Sequence, residues 1–155
     1  MGTNTAEDRL PRQLRLPIKE PPIKDSARRP RVLLAEDDAD MRRLVGLVLR
    51  MAGYNVVEAD SGVMLLRRVE LAASRGAQPA YDAIVSDVYM PDLTAIEVLE
   101  ALQSRDMAVP IVLITAYGNE ETRAEAKSLG VVDILEKPLD WSALRTAVQK
   151  AVAHV

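Results

Sequence analysis

The 155-residue sequence has no cysteine and no phenylalanine, and aromatic residues make up only 3% of it. Without thiols there is no disulfide framework, no thiolate nucleophile and no thiolate metal site. The only histidine, His154, stands next to the last residue. A Ser-His-Asp triad and a multi-histidine zinc site are thereby set aside. No apolar run approaches the roughly 18–20 residues needed to span a bilayer. The N-terminus lacks the apolar stretch of a secretion signal. Met1-Gly2 opens like a myristoylation site, but Ala6 stands where serine or threonine is required. The expectation is a soluble cytoplasmic protein that does not engage a membrane.

Apolar residues make up 48% of the chain, enough for one domain with its own core. Charge is unevenly spread. Residues 1–30 carry seven basic and four acidic side chains, and the rest of the chain has a net charge of -6. The same 30 residues hold five of the nine prolines, namely Pro11, Pro17, Pro21, Pro22 and Pro30. Proline removes amide donors and disfavours helix, so residues 1–30 read as a disordered, Pro-rich, basic tail. Pro-Ile-Lys occurs twice in it, at Pro17–Lys19 and Pro22–Lys24. Three arginines, Arg28, Arg29 and Arg31, are too few to imply nucleic-acid binding.

From residue 31 to 155 the texture is that of a folded domain. Short apolar runs at Val32–Ala35, Asn55–Ala59, Ala83–Ser86, Ile111–Thr115 and Val132–Leu135 have the length of buried strands. Helical patterns follow each run. The first has a stripe of Met41, Leu44, Val45, Val48 and Leu49. The others cover about residues 61–75, 94–104, 119–129 and 141–153. Asn119 and Asp140 are expected N-caps, and Gly130 a helix stop. Strands alternating with helices imply right-handed crossovers and a parallel sheet covered on both faces.

In such a sheet all strand carboxyl ends share one edge, where open α/β sheets bind ligands. That edge receives Glu36, Asp37 and Asp38 after the first strand and Asp87 after the third. Thr115 ends the fourth, and Glu136 and Lys137 follow the fifth. Carboxylates about 5 Å apart repel by roughly 3 kcal/mol per pair at an effective dielectric near 20. A divalent cation relieves that repulsion. All-oxygen ligands suit Mg²⁺, with Mn²⁺ as a substitute. A lysine and a hydroxyl can hold phosphoryl oxygens, and a carboxylate can attack phosphorus. The inventory fits metal-assisted phosphoryl transfer onto a carboxylate. Taken alone, Glu36-Asp37-Asp38 reads better as acids at a helix N-terminus, Thr115 as a strand residue and Lys137 as a surface lysine. Their joint placement turns them into a site.

Leu33-Leu34-Ala35-Glu36-Asp37-Asp38, Asp87-Val88-Tyr89-Met90-Pro91, Thr115-Ala116 and Lys137-Pro138 closely resemble the receiver domain of bacterial two-component response regulators. The resemblance covers about residues 31–153 and rests on the joint order and spacing of the motifs. It implies a flavodoxin-like three-layer α/β sandwich, with five helices around a five-stranded parallel sheet in the order 2-1-3-4-5. It implies Asp87 as phosphoacceptor from a phosphohistidine, on a sensor histidine kinase or a histidine phosphotransfer protein. Glu36, Asp37, Asp87 and the backbone carbonyl of Tyr89 would hold Mg²⁺. Thr115 and Lys137 would bind the phosphoryl group, and the Lys137-Pro138 bond would be cis. The product would be a signalling switch, not a metabolic enzyme. Its output would pass through the face of the fourth helix, fifth strand and fifth helix, with phosphorylation-dependent dimerisation as one outcome.

The sequence departs from the family's pattern at three places. Ala95 stands where the loop usually carries glycine, so the loop is expected to be remodelled if positive φ is needed there. Ile134 replaces an aromatic three residues before the lysine, which argues against an aromatic rotamer switch. Tyr89 and Tyr117 flank the expected path of hydrolytic water, and two bulky rings would shield an acyl phosphate. Two other readings stay open. The chain reads equally as the amino-terminal fragment of a longer DNA-binding response regulator. A Mg²⁺-dependent phosphohydrolase with an aspartyl nucleophile is a different class, but Tyr89 stands where its second aspartate belongs.

Overall fold

Five apolar runs become five strands: β1 (Arg31–Ala35), β2 (Asn55–Ala59), β3 (Ala83–Asp87), β4 (Ile111–Thr115) and β5 (Asp133–Glu136). The helices are α1 (Ala39–Met51), α2 (Gly62–Ser74), α3 (Ala95–Ser104), α4 (Glu120–Ser128) and α5 (Trp141–Ala153). They come from a computed structural model that describes residues 28–153 except residue 78. The Pro-Ile-Lys repeats, most of the expected tail, and His154 lie outside the described residues.

All neighbouring strands are parallel, in the order β2-β1-β3-β4-β5. The alternating pattern predicts the parallel sheet, and the order is that of the flavodoxin-like sandwich that the resemblance implies. β3 and β4 are buried along their whole length, as doubly covered strands should be. Side chains alternate between two cores. Leu33, Ile84, Ile111 and Leu113 pack with Leu65 of α2 and Leu99 of α3. Val32, Leu34, Val85, Val112 and Ile114 pack with Leu49 of α1 and Leu144 of α5.

Short polar side chains start the helices by accepting orphan amides. Asp38 caps α1, Ser61 caps α2, and Asn119 caps α4. Thr94 and Glu97 form a reciprocal capping box on α3. Asp140 accepts from the amides of Ser142 and Ala143 at the start of α5. Gly130, with φ +79°, follows α4 in the left-handed region that favours glycine.

Three details differ from the sequence reading. Leu44 is 45% exposed, because α1 turns Val45 and Leu49 inward. β3 runs one residue further than expected and includes Asp87. β5 runs from Asp133 to Glu136, one residue later than expected, although the Val132 amide already bonds the Ile111 carbonyl.

Candidate functional site

Register places the polar residues. Ala35 pairs with Ser86 across β1 and β3, so Glu36 and Asp87 follow at the same level. Thr115 pairs with Glu136 across β4 and β5, which sets Lys137 one step beyond. Carboxylate oxygens of Glu36, Asp37 and Asp87 all lie within 4.8 Å of one another. The Lys137 Nζ donates to Asp87 Oδ2 at 2.9 Å and to Glu36 Oε2 at 3.4 Å.

Glu36 and Asp87 are buried, whereas Asp37 is exposed. Burial pushes the Glu36 carboxyl up to about 7, and the nearby Asp87 charge adds to the rise. Lys137 and the Asp38 amide oppose it without cancelling it. Burial alone would lower the Lys137 pKa, but its bonds to Asp87 and Glu36 outweigh that and hold it above its ordinary value. One ammonium thus serves two carboxylates that would otherwise be paired poorly.

Backbone groups complete the frame. The Tyr89 amide donates to Asp87 Oδ1 at 3.3 Å. The Lys137 amide donates to the Thr115 carbonyl at 2.9 Å, and the Lys137-Pro138 bond is cis. Thr115 is fully buried, and its hydroxyl is turned toward the chain ahead. It donates to the Tyr117 carbonyl at 3.0 Å and accepts from the Tyr117 amide at 3.1 Å. Glu36, Asp37, Asp87 and Lys137 therefore meet, while the Thr115 hydroxyl is engaged elsewhere.

The remaining residues singled out in the sequence lie around this cluster. Tyr89 is 47% exposed, and its hydroxyl meets Thr122 Oγ1 of α4 at 3.2 Å. Tyr117 is 77% exposed, so most of its ring faces solvent. Ile134 is half-buried against the α2–α3 core. Ala95 is buried as the first residue of α3, and its amide bonds the Val88 carbonyl. It does not adopt positive φ, so alanine costs nothing there and the glycine is not needed.

Sequence reasoning missed two supporting residues. Arg42 Nη1 donates to the Glu36 carbonyl at 2.9 Å and its Nε faces Glu58 at 3.5 Å. Asp92 accepts the Gly62 and Val63 amides, both at 2.9 Å, and so ties the β3–α3 loop to α2. Arg42 carries no signal beyond an ordinary helix-surface arginine. Asp92 acts across about thirty positions, which no local spacing rule reaches.

The cluster offers hard oxygen ligands for one cation, an ammonium for an anion and a nearby carboxylate. The model of the response regulator receiver domain family matches residues 32–149. The chain belongs to that family. It is thus a two-component signalling domain. The receiver is 33% identical over 123 residues to the transcriptional regulatory protein ZraR of Escherichia coli (strain K12), covering 79% of this chain and 26% of that protein. It is 31% identical over 121 residues to the transcriptional regulatory protein GlrR of the same organism, covering 78% of this chain and 26% of the relative. The receiver spans about a quarter of the length of these relatives. Among solved structures it resembles the chemotaxis protein CheY4 of Vibrio cholerae, with a TM-score of 0.68 and 29% identity over 80% of this chain and 99% of that one. The signal receiver domain of a putative Luxo repressor protein from Vibrio parahaemolyticus shares the fold, with a TM-score of 0.73, 24% identity and coverage of 82% of this chain and 92% of that one. Among the described residues, no helix is long and apolar enough to cross a membrane.

Proposed function

We propose that the receiver accepts a phosphoryl group on Asp87 from a phosphohistidine of a sensor histidine kinase or histidine phosphotransfer protein. The observation that carries this reading is the convergence of Glu36, Asp37 and Asp87 beside the Lys137 ammonium. A buried carboxylate pair with one ammonium carries excess negative charge, and burial first, then the Asp87 charge, raises the Glu36 pKa. An all-oxygen donor set fits Mg²⁺ or Mn²⁺. Glu36, Asp37, Asp87 and the Tyr89 carbonyl would hold the ion. When bound, it would supply positive charge to the transferring phosphoryl oxygens.

The chain's own residues do the rest. An Asp87 carboxylate oxygen attacks phosphorus, the phosphorus–nitrogen bond breaks, and the donor imidazole nitrogen keeps the electron pair. Lys137 holds the Asp87 carboxylate in place and then pairs with a phosphoryl oxygen. Thr115 gives up its two bonds to Tyr117 to reach another phosphoryl oxygen. Those exchanged bonds supply the differential contacts that a population shift requires. The α4–β5–α5 surface passes the change to an output partner. The domain acts as a signalling switch with no metabolic substrate.

A second reading makes the receiver the amino-terminal piece of a longer DNA-binding response regulator. It is supported by relatives named as transcriptional regulators, of which the chain matches 26%. Under either reading the phosphoacceptor chemistry is the same. Incubation with acetyl phosphate tests it. Phosphoryl uptake, read by intact mass, is expected with Mg²⁺, to be abolished by chelator and to fall at least tenfold in Glu36→Gln, which loses one charged ligand (about 1.4 kcal/mol or more). Uptake that ignores both chelator and Glu36 would contradict the reading.

A further inference from the structure

α4 is the least embedded helix of the receiver. Only Ala126 of its nine residues is buried, and its first turn is acidic. Isolated helices this short are marginal, so attachment to the rest of the fold decides where α4 sits. At its N-terminal end two side-chain links do this. Thr122 Oγ1 meets the Tyr89 hydroxyl at 3.2 Å, and Arg123 Nη2 is bonded to Glu136 Oε1.

Both links end beside the site. Tyr89 follows Asp87 by two residues, and its amide holds Asp87 Oδ1. Glu136 immediately precedes Lys137, whose ammonium holds Asp87 Oδ2. The loop leading into α4 carries Tyr117, whose backbone is held by the Thr115 hydroxyl. Every group that must be rearranged by a phosphoryl group is thus within two residues of a bond that fixes α4 or its leading loop. Ile134 has no hydroxyl and no ring with which to carry the message instead.

We infer that Thr122–Tyr89 and Arg123–Glu136 are paired latches that hold α4 in its unphosphorylated position and are released when Asp87 is phosphorylated. The inference rests on the phosphoacceptor reading above. Re-aiming Lys137 moves the β5 end that carries Glu136. Transferring the Thr115 hydroxyl frees Tyr117 and the loop before α4. Movement of the Asp87 carboxylate shifts the Tyr89 backbone and hence its ring. Thr122 and Arg123 are positioning residues, since neither touches the reacting atoms. Each latch opposes the phosphorylated state, so removing one must tighten binding of anything that selects that state.

The test uses the full chain with Mg²⁺ and beryllofluoride as phosphoryl mimic, followed by Trp141 fluorescence. Thr122→Val and Arg123→Gln are each expected to tighten beryllofluoride binding about threefold, the range one exposed hydrogen bond or ion pair commands. Hydrogen exchange across residues 120–128 is expected to rise by a similar factor in the free variants. In the double variant it should approach that of loaded wild type. A helix that merely frays would exchange faster without any gain in affinity, and that result overturns the latch. Variants matching wild type in both readouts overturn it too. Failure of wild type itself to bind the mimic would instead overturn the phosphoacceptor reading on which the latch stands.

Discussion

Lys137 Nζ lies 2.9 Å from Asp87 Oδ2 and 3.4 Å from Glu36 Oε2, one ammonium shared by two buried carboxylates that are 51 positions apart in the chain. Removing it leaves both acids facing each other in a poorly solvated pocket. Lys137→Met is expected to lose about 1–3 kcal/mol of stability in chelator at neutral pH. Added Mg²⁺ should recover much of it, because the ion replaces the missing charge. Urea unfolding with and without Mg²⁺ checks both parts, and equal losses in the two buffers would count against a shared cation site.

The raised Glu36 pKa fixes a pH trend. The folded protein holds the Glu36 proton up to about pH 7, whereas the unfolded chain releases it near the ordinary value of 4.5. Between these values the folded state binds more protons, so this group's contribution to stability falls as pH rises. In chelator, melting temperature should therefore drop from pH 5 to pH 7.5 more in wild type than in Glu36→Gln. Apparent Mg²⁺ affinity should rise over the same window as the competing proton leaves. Thermal denaturation at a series of pH values, with chelator or Mg²⁺, measures this. Parallel curves for wild type and variant would remove Glu36 as the titrating group.

Gly62 opens α2, and a Cβ there would meet the Leu93 carbonyl oxygen at 2.5 Å and Leu93 Cβ at 2.7 Å. Helix propensity alone predicts that Gly62→Ala stabilises by up to about 1 kcal/mol. The close approach of backbone reverses the sign. Gly62→Ala should destabilise by about 1–3 kcal/mol, the range of an overpacked site. It should also displace the loop that carries Met90 and Pro91. Chemical denaturation gives the sign directly.

Asp92 is exposed, yet amide bonds, first from Val63 and also from Leu93 and Gly62, pull its carboxyl down to about 2. A lowered carboxylate pKa contributes stability above its ordinary value near pH 4. That contribution is lost as pH falls toward 2. Asp92→Ala should cost about 1 kcal/mol at neutral pH, as a lost helix cap does. Between pH 4 and pH 2 the gap from wild type should close. A gap that stays constant through acid would mean that Asp92 acts by packing and not by its charge.

The fold was legible because five apolar runs and five periodic segments alternate without ambiguity. Each run found its strand to within a residue. Asp87, Glu36, Asp37 and Lys137 were legible because parallel strands deliver their ends to one edge, and the register then placed Glu36 level with Asp87. The outward turn of Leu44 was not, since Leu44 and Val45 fit the same periodic stripe and only packing against β1 and β2 decides between them. The Thr115 hydroxyl could be placed at the edge but not aimed. Local bonds to Tyr117 set its direction, and they depend on the loop's path. Links such as Asp92 to the α2 amides and Tyr89 to Thr122 join residues about thirty positions apart on surfaces that no periodicity describes.

The most direct measurement locates the phosphoryl group itself. The receiver is loaded from acetyl phosphate with Mg²⁺, the acyl phosphate is reduced with borohydride, and the resulting homoserine is found by peptide mass spectrometry. Homoserine at position 87, absent from Asp87→Asn protein, is the predicted result. Homoserine at another aspartate, or undiminished phosphorylation of Asp87→Asn, would contradict the account.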